Sequence, residues 1–341
     1  MQNMEWGFII ALYLFLGGIS AGVLGISSGF ILTKKQVYEP IARLGAFIAP
    51  FPAIIGTSLL VFDLGRPFQF FRLFTTFRPR SAMSIGAWLL SVFVGVAFVY
   101  MYTWLPEKYT LKPLDAIIKR LGGFSFIRVL LALLSLPLSA GVAIYTGVLL
   151  GTMSSRPFLN SALLPQIFLF SAVSVGAATI MLAILFFWEK TEKQHRSPET
   201  YQKNIRALIA LDIGAIFVEA TLIFSFMVQQ ATSSVSVAQS LNLVFGGPYT
   251  IFFWGGAIAL GIVVPLFIEF YEVVPVLQES FVDNNSYATV KPGPVVMNKE
   301  ENSHLRLGLT LILCCSVLAG GFLLRCVFLF AGQSSYVLDS F

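Results

Sequence analysis

The chain has 341 residues, of which 57% are hydrophobic and 11% are charged, and its formal net charge is +5. Soluble domains normally carry roughly 25% charged residues, so these few charges cannot cover a surface in contact with water, although they suffice for the short loops of a membrane protein. Because the lysines and arginines lie between apolar runs, the positive charge does not indicate binding to nucleic acid.

Eight apolar runs reach the length of about 20 residues that a membrane-spanning helix requires. We therefore predict an all-α integral membrane protein, a single polytopic domain arranged as two four-helix bundles. The predicted spans are 8–32, 41–62, 83–104, 126–150, 165–188, 205–228, 249–272 and 307–331. The first run is too long for a signal-peptide core and follows no basic segment, so we expect it to be a permanent span. Prolines are predicted to interrupt the second span (Pro50, Pro52), the fourth (Pro137) and the seventh (Pro265).

The loop charges predict the orientation in the membrane. One set of loops, with its flanking residues, holds 16 of the 22 lysines and arginines, including every lysine. These loops are 33–40, 105–125, 189–204 and 273–306. Loops rich in positive charge face the cytoplasm, so both termini should lie outside it and 273–306 should be a flexible cytoplasmic linker.

The first span combines an aromatic residue with spaced glycines. Gly18 and Gly22 form one pair with three residues between them, and Gly25 and Gly29 form another, a spacing that lets two helices approach closely. Tyr13 lies about one turn from the predicted outer end, where it would serve either as an interfacial aromatic or as a hydrogen-bond donor to a ligand.

The outer loop after the second span is rich in arginine, against the general trend of the charges. It contains Asp63, followed by Arg66, Arg72, Arg78 and Arg80. Arginine presents a rigid fork that suits carboxylates and protein interfaces, so we predict that the four arginines dock a partner. A structural pair between Asp63 and Arg66 that closes a turn is a compatible alternative.

Ionisable residues occur inside three of the later spans, where they are costly and usually face the protein interior. Asp212 and Glu219 are seven residues apart on one helix face, about 10 Å along its axis. With Glu269 they predict a proton path, although a structural pair, and for Glu269 and its neighbour Glu272 a solvated helix end, are alternatives. Arg325 should lie in the outer half of the membrane and requires a counter-charge or a polar ligand.

The sequence argues against a redox cofactor bound to this protein. His195 and His304 both lie in loops on the lysine-rich side, whereas a membrane haem requires a pair of buried histidines. All three cysteines lie in the last apolar run, whereas an iron–sulfur cluster or a structural zinc usually requires four thiolates. We predict packing roles for the cysteines and no haem, iron–sulfur cluster or metal.

Two motifs resemble the signature of the NrfD-like family, the membrane subunits of polysulfide-reductase-type complexes. They are Asp63-Leu-Gly-Arg-Pro67 and Ser81-Ala-Met-Ser-Ile-Gly-Ala-Trp88. The stretches Tyr13–Gly22, Tyr145–Gly147 and Gly320–Arg325 extend the resemblance over most of the sequence. The sequence departs from the family at Ala82, where proline is frequent, and at Tyr13, which aligns with a histidine.

The resemblance implies a quinone-reactive subunit in the cytoplasmic membrane of a bacterium or archaeon, active only within a multisubunit oxidoreductase. It would exchange electrons between menaquinone or ubiquinone and an extracytoplasmic iron–sulfur protein with four clusters. A molybdopterin catalytic subunit or a multihaem cytochrome would complete the complex. Quinone carbonyls accept hydrogen bonds, which Tyr13, Tyr145 and Arg325 can donate beside Asp63.

Two other classes of function remain open from the sequence. Interrupted helices and buried carboxylates are also typical of secondary transporters, although Asp63-Leu-Gly-Arg-Pro67 and the stretch Gly320–Arg325 argue against one. A purely structural anchor for a periplasmic enzyme is the second alternative, but Asp212, Glu219 and Arg325 would be costly in a mere anchor.

Overall fold

A computed structural model of the protein describes residues 7–63, 81–106, 108, 110–120, 122–151, 156–188, 197–271 and 299–338. Within these ranges the regular structure is helical and contains no strand. Eight helical segments are long and apolar enough to cross a membrane, which confirms the predicted number of spans. Large apolar side chains such as Phe217, Phe224 and Phe267 lie on the outer surface, as expected for a protein surrounded by lipid.

The helices of the described ranges are numbered here in sequence order. They are α1 (Phe8–Leu32), α2 (Glu39–Ile48), α3 (Pro50–Asp63), α4 (Ala82–Tyr102), α5 (Lys112–Arg120), α6 (Gly123–Gly151), α7 (Leu164–Phe187), α8 (Pro198–Ala231), α9 (Val235–Ser240), α10 (Asn242–Phe245), α11 (Ile251–Tyr271) and α12 (Lys299–Leu338). The first part of α11, Ile251–Val263, is a π-helix.

The predicted prolines act differently in the three spans. The helix of the second span is interrupted at Ala49, between α2 and α3, because Pro50 cannot donate a backbone hydrogen bond. At this interruption Ser20 of α1 donates a hydrogen bond of 2.5 Å to the carbonyl of Ala49. By contrast, α6 continues through Pro137 as one helix, so the interruption predicted there is absent. In α11 the π-helical part ends just before Pro265.

The α8 helix begins earlier than the apolar run indicates. Ser197 accepts a hydrogen bond of 3.1 Å from the backbone N–H of Thr200, and Pro198 occupies the first turn, where its missing N–H costs nothing. Asp212 therefore lies fourteen residues, about 21 Å, from the start of the helix. Similarly, α12 begins at Lys299, within the segment predicted to be a linker.

The spans pack as two sets that meet at α1 and α7. α1 contacts α2, α3 and α6 in the first half of the protein, while α12 contacts α11 and α7 in the second half. At the junction, Gly22 of α1 lies against the backbone of α7, since a Cβ on Gly176 would stand 2.8 Å from the Gly22 Cα. Gly261 of α11 and Gly320 of α12 make a similar backbone contact. These glycines let α1 approach α7 closely, and α11 approach α12.

Candidate functional site

Arg325 is the largest fully buried side chain of the described protein, with no exposed surface. Its Nη1 atom donates one hydrogen bond of 2.7 Å to the carbonyl of Gly321, one turn earlier in α12, and another of 3.2 Å to the hydroxyl of Ser171 in α7. Its Nε and Nη2 atoms have no hydrogen-bond partner among the described residues. A buried guanidinium with two unused donor atoms requires a strong compensating interaction nearby.

Aromatic rings and a glycine form the rest of the guanidinium's surroundings. Its central carbon lies 5.7 Å from the ring centre of Phe15 in α1 and 5.4 Å from that of Phe168 in α7, both within the range of a cation–π interaction. Gly18 of α1 faces Nη2 so closely that a Cβ at this position would overlap it. The glycine therefore provides the space that the charged group occupies.

Glu219 of α8 supplies the opposite charge. It is 6% exposed, interacts electrostatically with Arg325, and lies within interaction range of Ser171. Ser171 therefore lies close to both members of the charge pair. The sequence prediction that Arg325 requires a counter-charge agrees with this arrangement, as does the structural role considered for Glu219.

Asp212 and Glu269 form a second group, deeper toward the end of the molecule predicted to be cytoplasmic. Both are fully buried, and Asp212 lies within interaction range of Glu269 in α11 and of Ser174 in α7. Neither oxygen of Asp212 makes a hydrogen bond of standard geometry within the described residues. The sequence left open that Glu269 lies at a solvated helix end, but the structure buries its side chain. The two carboxyl groups come from separate helices but occupy one interior site.

Tyr13 and Tyr145 form a third group. Tyr13 is 1% exposed, interacts with Tyr145 of α6, and its hydroxyl has no hydrogen-bond partner in the described structure. A Cβ on Gly86 of α4 would overlap the phenol of Tyr145, and one on Gly56 of α3 would stand 3.5 Å from the ring of Tyr13. Residues of four helices thus surround the two phenols, and two glycines make room for them.

The tyrosines and Arg325 lie on different sides of α1. Tyr13 and Gly18, which faces the guanidinium, are five residues apart, or about 140° around the helix axis. The structure therefore brings Tyr13 together with Tyr145, and Arg325 together with Glu219, but it does not place all four around one cavity. The side chain of Asp63 and the residues Arg66, Arg72, Arg78 and Arg80 lie outside the described residues, as do His195 and Glu272.

Several residues that shape these groups were not singled out from the sequence. Ser171 and Ser174 lie three residues apart on α7, and each reaches one of the carboxyl groups of α8. Serines are common in membrane helices, so their positions alone carry no signal. Gly86 belongs to the second family motif, but its contact with Tyr145 requires knowledge of how α4 and α6 pack.

No group of three histidine, cysteine, aspartate or glutamate side chains suited to a metal ion occurs in the part of the protein that the structure describes. Among the described residues, Cys314, Cys315 and Cys326 form no disulfide. Cys314 is buried, whereas Cys315, its neighbour on the helix, is exposed.

Comparison with known proteins decides the family. A family model described as "Polysulphide reductase, NrfD" matches residues 1–282. The chain belongs to the NrfD family. It is 32% identical to the C subunit of polysulfide reductase from Wolinella succinogenes, over 78% of this NrfD protein and 83% of that subunit. It is 29% identical to protein NrfD of Escherichia coli, over 79% of the present sequence and 85% of that protein.

A more distant relative is the Hdr-like menaquinol oxidoreductase integral membrane subunit of Archaeoglobus fulgidus, 24% identical over 78% of the present sequence and 62% of that protein. Family membership and the eight apolar helices identify this NrfD protein as a multi-pass protein of the cytoplasmic membrane.

Proposed function

We propose that this NrfD-family protein is the quinone-reactive membrane subunit of a respiratory oxidoreductase complex. Relatives named as subunits of polysulfide reductase and of a menaquinol oxidoreductase support the coarser role, a membrane subunit of an oxidoreductase. The finer role is electron exchange between menaquinone or ubiquinone and an extracytoplasmic iron–sulfur subunit. A molybdopterin enzyme or a multihaem cytochrome would complete the electron path.

The observation that carries the proposal is the buried pair of phenols, Tyr13 and Tyr145. A quinone carbonyl accepts hydrogen bonds, and the hydroxyl of Tyr13 is a buried donor with no partner among the described residues. Leaving such a donor unpaired costs free energy that a ligand carbonyl would recover. Oxidation of a quinol here releases two electrons to the iron–sulfur subunit and two protons that must leave the site.

We also propose that protons cross the membrane through the interior carboxyl groups. Glu269 and Asp212 form the part nearer the predicted cytoplasmic end, and Glu219 continues the path toward Ser171 and Arg325. Burial inside the protein supports this role, because buried ionisable residues in membrane spans usually mark ion or proton routes. The electrostatic interaction of Glu219 with Arg325 equally supports a structural role for Glu219, and the variants discussed below separate the two.

Docking of the iron–sulfur subunit remains a proposal from the sequence. Arg66, Arg72, Arg78 and Arg80 follow α3 directly, and α3 is one of the helices that pack around Tyr13. Arginine side chains suit an acidic partner surface, and contact there would bring the partner's nearest cluster toward the pair of tyrosines.

The proposed function is tested by quinol oxidation in the purified complex. Tyr145→Phe removes one hydroxyl with little change in volume, and a lost hydrogen bond of about 0.5–1.5 kcal/mol should reduce kcat/KM for quinol roughly two- to tenfold. The matched control is Tyr100→Phe, also a buried tyrosine, whose hydroxyl accepts a hydrogen bond of 3.3 Å from Ser27 at the other end of α4. Equal quinol oxidation by Tyr13→Phe, Tyr145→Phe and the wild type, with intact complexes, would rule out this site.

A further inference from the structure

Between α7, α8, α11 and α12 lies a small enclosed cavity that touches the charged interior. We propose that one water molecule in this cavity, held by Ser171, Ser174 and Glu219, relays protons between Asp212 and Glu219. The inference rests on the proposed proton path and names the element that makes the path continuous.

The separation of the two carboxyl groups requires such an element. Asp212 and Glu219 are seven residues apart on α8, so about 10 Å of helix separates them. Proton transfer occurs between groups at hydrogen-bonding distance, about 2.6–3.2 Å between heavy atoms or through one water. A direct transfer between the two carboxyl groups is therefore excluded, and intervening hydroxyl groups or water must carry the proton.

Two serines of α7 bridge most of this distance. Ser174 lies within interaction range of Asp212, and Ser171, one turn earlier on the same face of α7, lies within range of Glu219. Each serine hydroxyl can both donate and accept, which is what a proton relay requires. Ser174 is 2% exposed and Ser171 is 1% exposed, so neither hydroxyl is accessible to bulk water.

The cavity joins the two serines to Glu219. Ser171, Ser174 and Glu219 all line it, and its other walls come from α11 and α12, including Ala257 and Gly261. Its volume is about that needed by a single water molecule, and a buried water requires two to four polar partners. Three polar side chains satisfy that requirement. The π-helical part of α11 and its close contact with α12 shape the remaining wall.

The relay is balanced in protons. A protonated Asp212 gives its proton to the oxygen of Ser174, whose own hydroxyl proton passes to the water, and the water gives one of its protons to the carboxylate of Glu219. Glu269 lies beside Asp212 and Arg325 lies beside Glu219, so each carboxyl group of the relay has an ionisable neighbour. Arg325 also holds Ser171 by a hydrogen bond, which orients that hydroxyl relative to Glu219.

The test fills the cavity without touching a charged group. In the intact complex, reconstituted into liposomes with quinol as electron donor, Ala257→Leu should reduce proton translocation to the level of Asp212→Asn, while quinol oxidation by uncoupled vesicles stays normal. The matched control is Ala259→Leu, which adds the same side chain on the same helix away from the cavity and should translocate protons normally. Ser174→Ala, which removes the hydroxyl that carries the proton from Asp212 to the water, should reduce proton translocation to the same level as Asp212→Asn without filling the space.

The outcomes separate this inference from the proposed proton path. Loss of translocation in Asp212→Asn, combined with normal translocation in Ala257→Leu and Ser174→Ala, would overturn the water relay and leave the path standing. Normal translocation in an Asp212→Asn, Glu219→Gln double variant would overturn the path itself. If Ala257→Leu does not assemble, Ser174→Ala decides alone. Density for a water within hydrogen-bonding distance of Ser171 and Ser174 in a high-resolution structure would support the relay independently.

Discussion

Gly18 of α1 lies directly against the guanidinium of Arg325 in α12, and a Cβ at this position would overlap Nη2 and stand 3.1 Å from Cζ. The glycine spacing in the sequence predicts close packing of helix backbones here, as observed for Gly22. The structure shows instead that Gly18 makes room for a buried charge. The position of α1 is thereby linked to the interior charge pair of Arg325 and Glu219.

Gly18→Ala should therefore destabilise the protein. The added methyl group must displace the guanidinium, weakening its hydrogen bonds to Ser171 and Gly321, and overpacking of this kind typically costs about 1–3 kcal/mol. Thermal unfolding in detergent should show a lower Tm for Gly18→Ala than for the wild type. Gly29→Ala, on the same helix and with no atom within 4 Å of the new Cβ, is the control and should leave the Tm unchanged. Equal Tm values for both variants would contradict the observed contact.

Gly86→Ala should impair the quinone site without a change to either tyrosine. A Cβ at Gly86 would overlap the phenol of Tyr145, so the ring must move. We expect quinol oxidation to fall at least as far as in Tyr145→Phe. Gly95→Ala in the same helix, where the new Cβ meets no atom within 4 Å, should oxidise quinol at the wild-type rate. Wild-type activity in Gly86→Ala would show that the position of the Tyr145 phenol is unimportant.

Variants of the charged interior distinguish a proton carrier from a structural counter-charge. If Glu219 chiefly compensates Arg325, Glu219→Gln leaves an uncompensated buried charge and should destabilise the subunit by about 3–5 kcal/mol. The double variant Glu219→Gln, Arg325→Gln should then regain stability, and Asp212→Asn should have little effect. If the carboxyl groups carry protons, Asp212→Asn and Glu219→Gln should both remain folded and lose proton translocation. A double-mutant cycle on unfolding free energies, combined with translocation assays, measures both contributions.

The orientation predicted from the loop charges is testable with reporter fusions. A fusion after Ser155 should report a location outside the cytoplasm, because it follows the fourth span, and a fusion after Asn285 should report the cytoplasm. Opposite signals from both fusions would show that the predicted membrane orientation is inverted. The tyrosine pair would then lie nearer the cytoplasmic side.

The apolar runs alone predicted the eight spans, because a bilayer imposes a minimum helix length that hydropathy reveals directly. The early start of α8 was also encoded, in the capping residue Ser197 and in Pro198, but an apolar run gives no weight to polar residues that extend a helix beyond the membrane. Pro137 was misleading because neighbouring helices allow a membrane helix to continue through proline.

The candidate site was only partly predictable. An ionisable side chain inside a membrane span is costly, so Asp212, Glu219 and Arg325 stand out in the sequence as candidates. How the helices are rotated against one another depends on packing, and for that reason the separation of Arg325 from the tyrosine pair was not foreseen. The same applies to Ser171 and Ser174, whose contribution comes from facing the carboxyl groups of another helix.

Photoaffinity labelling with an azidoquinone tests the central claim, a quinone site at Tyr13 and Tyr145, most directly. The intact complex would be labelled under light, digested and analysed by mass spectrometry, with excess unmodified quinone as competitor. We predict labelled peptides from α1 around Tyr13 and from α6 around Tyr145, both lost on competition and reduced in Gly86→Ala but not in Gly95→Ala. Competable labelling confined to other helices, or no competable labelling of this subunit, would contradict the proposed site.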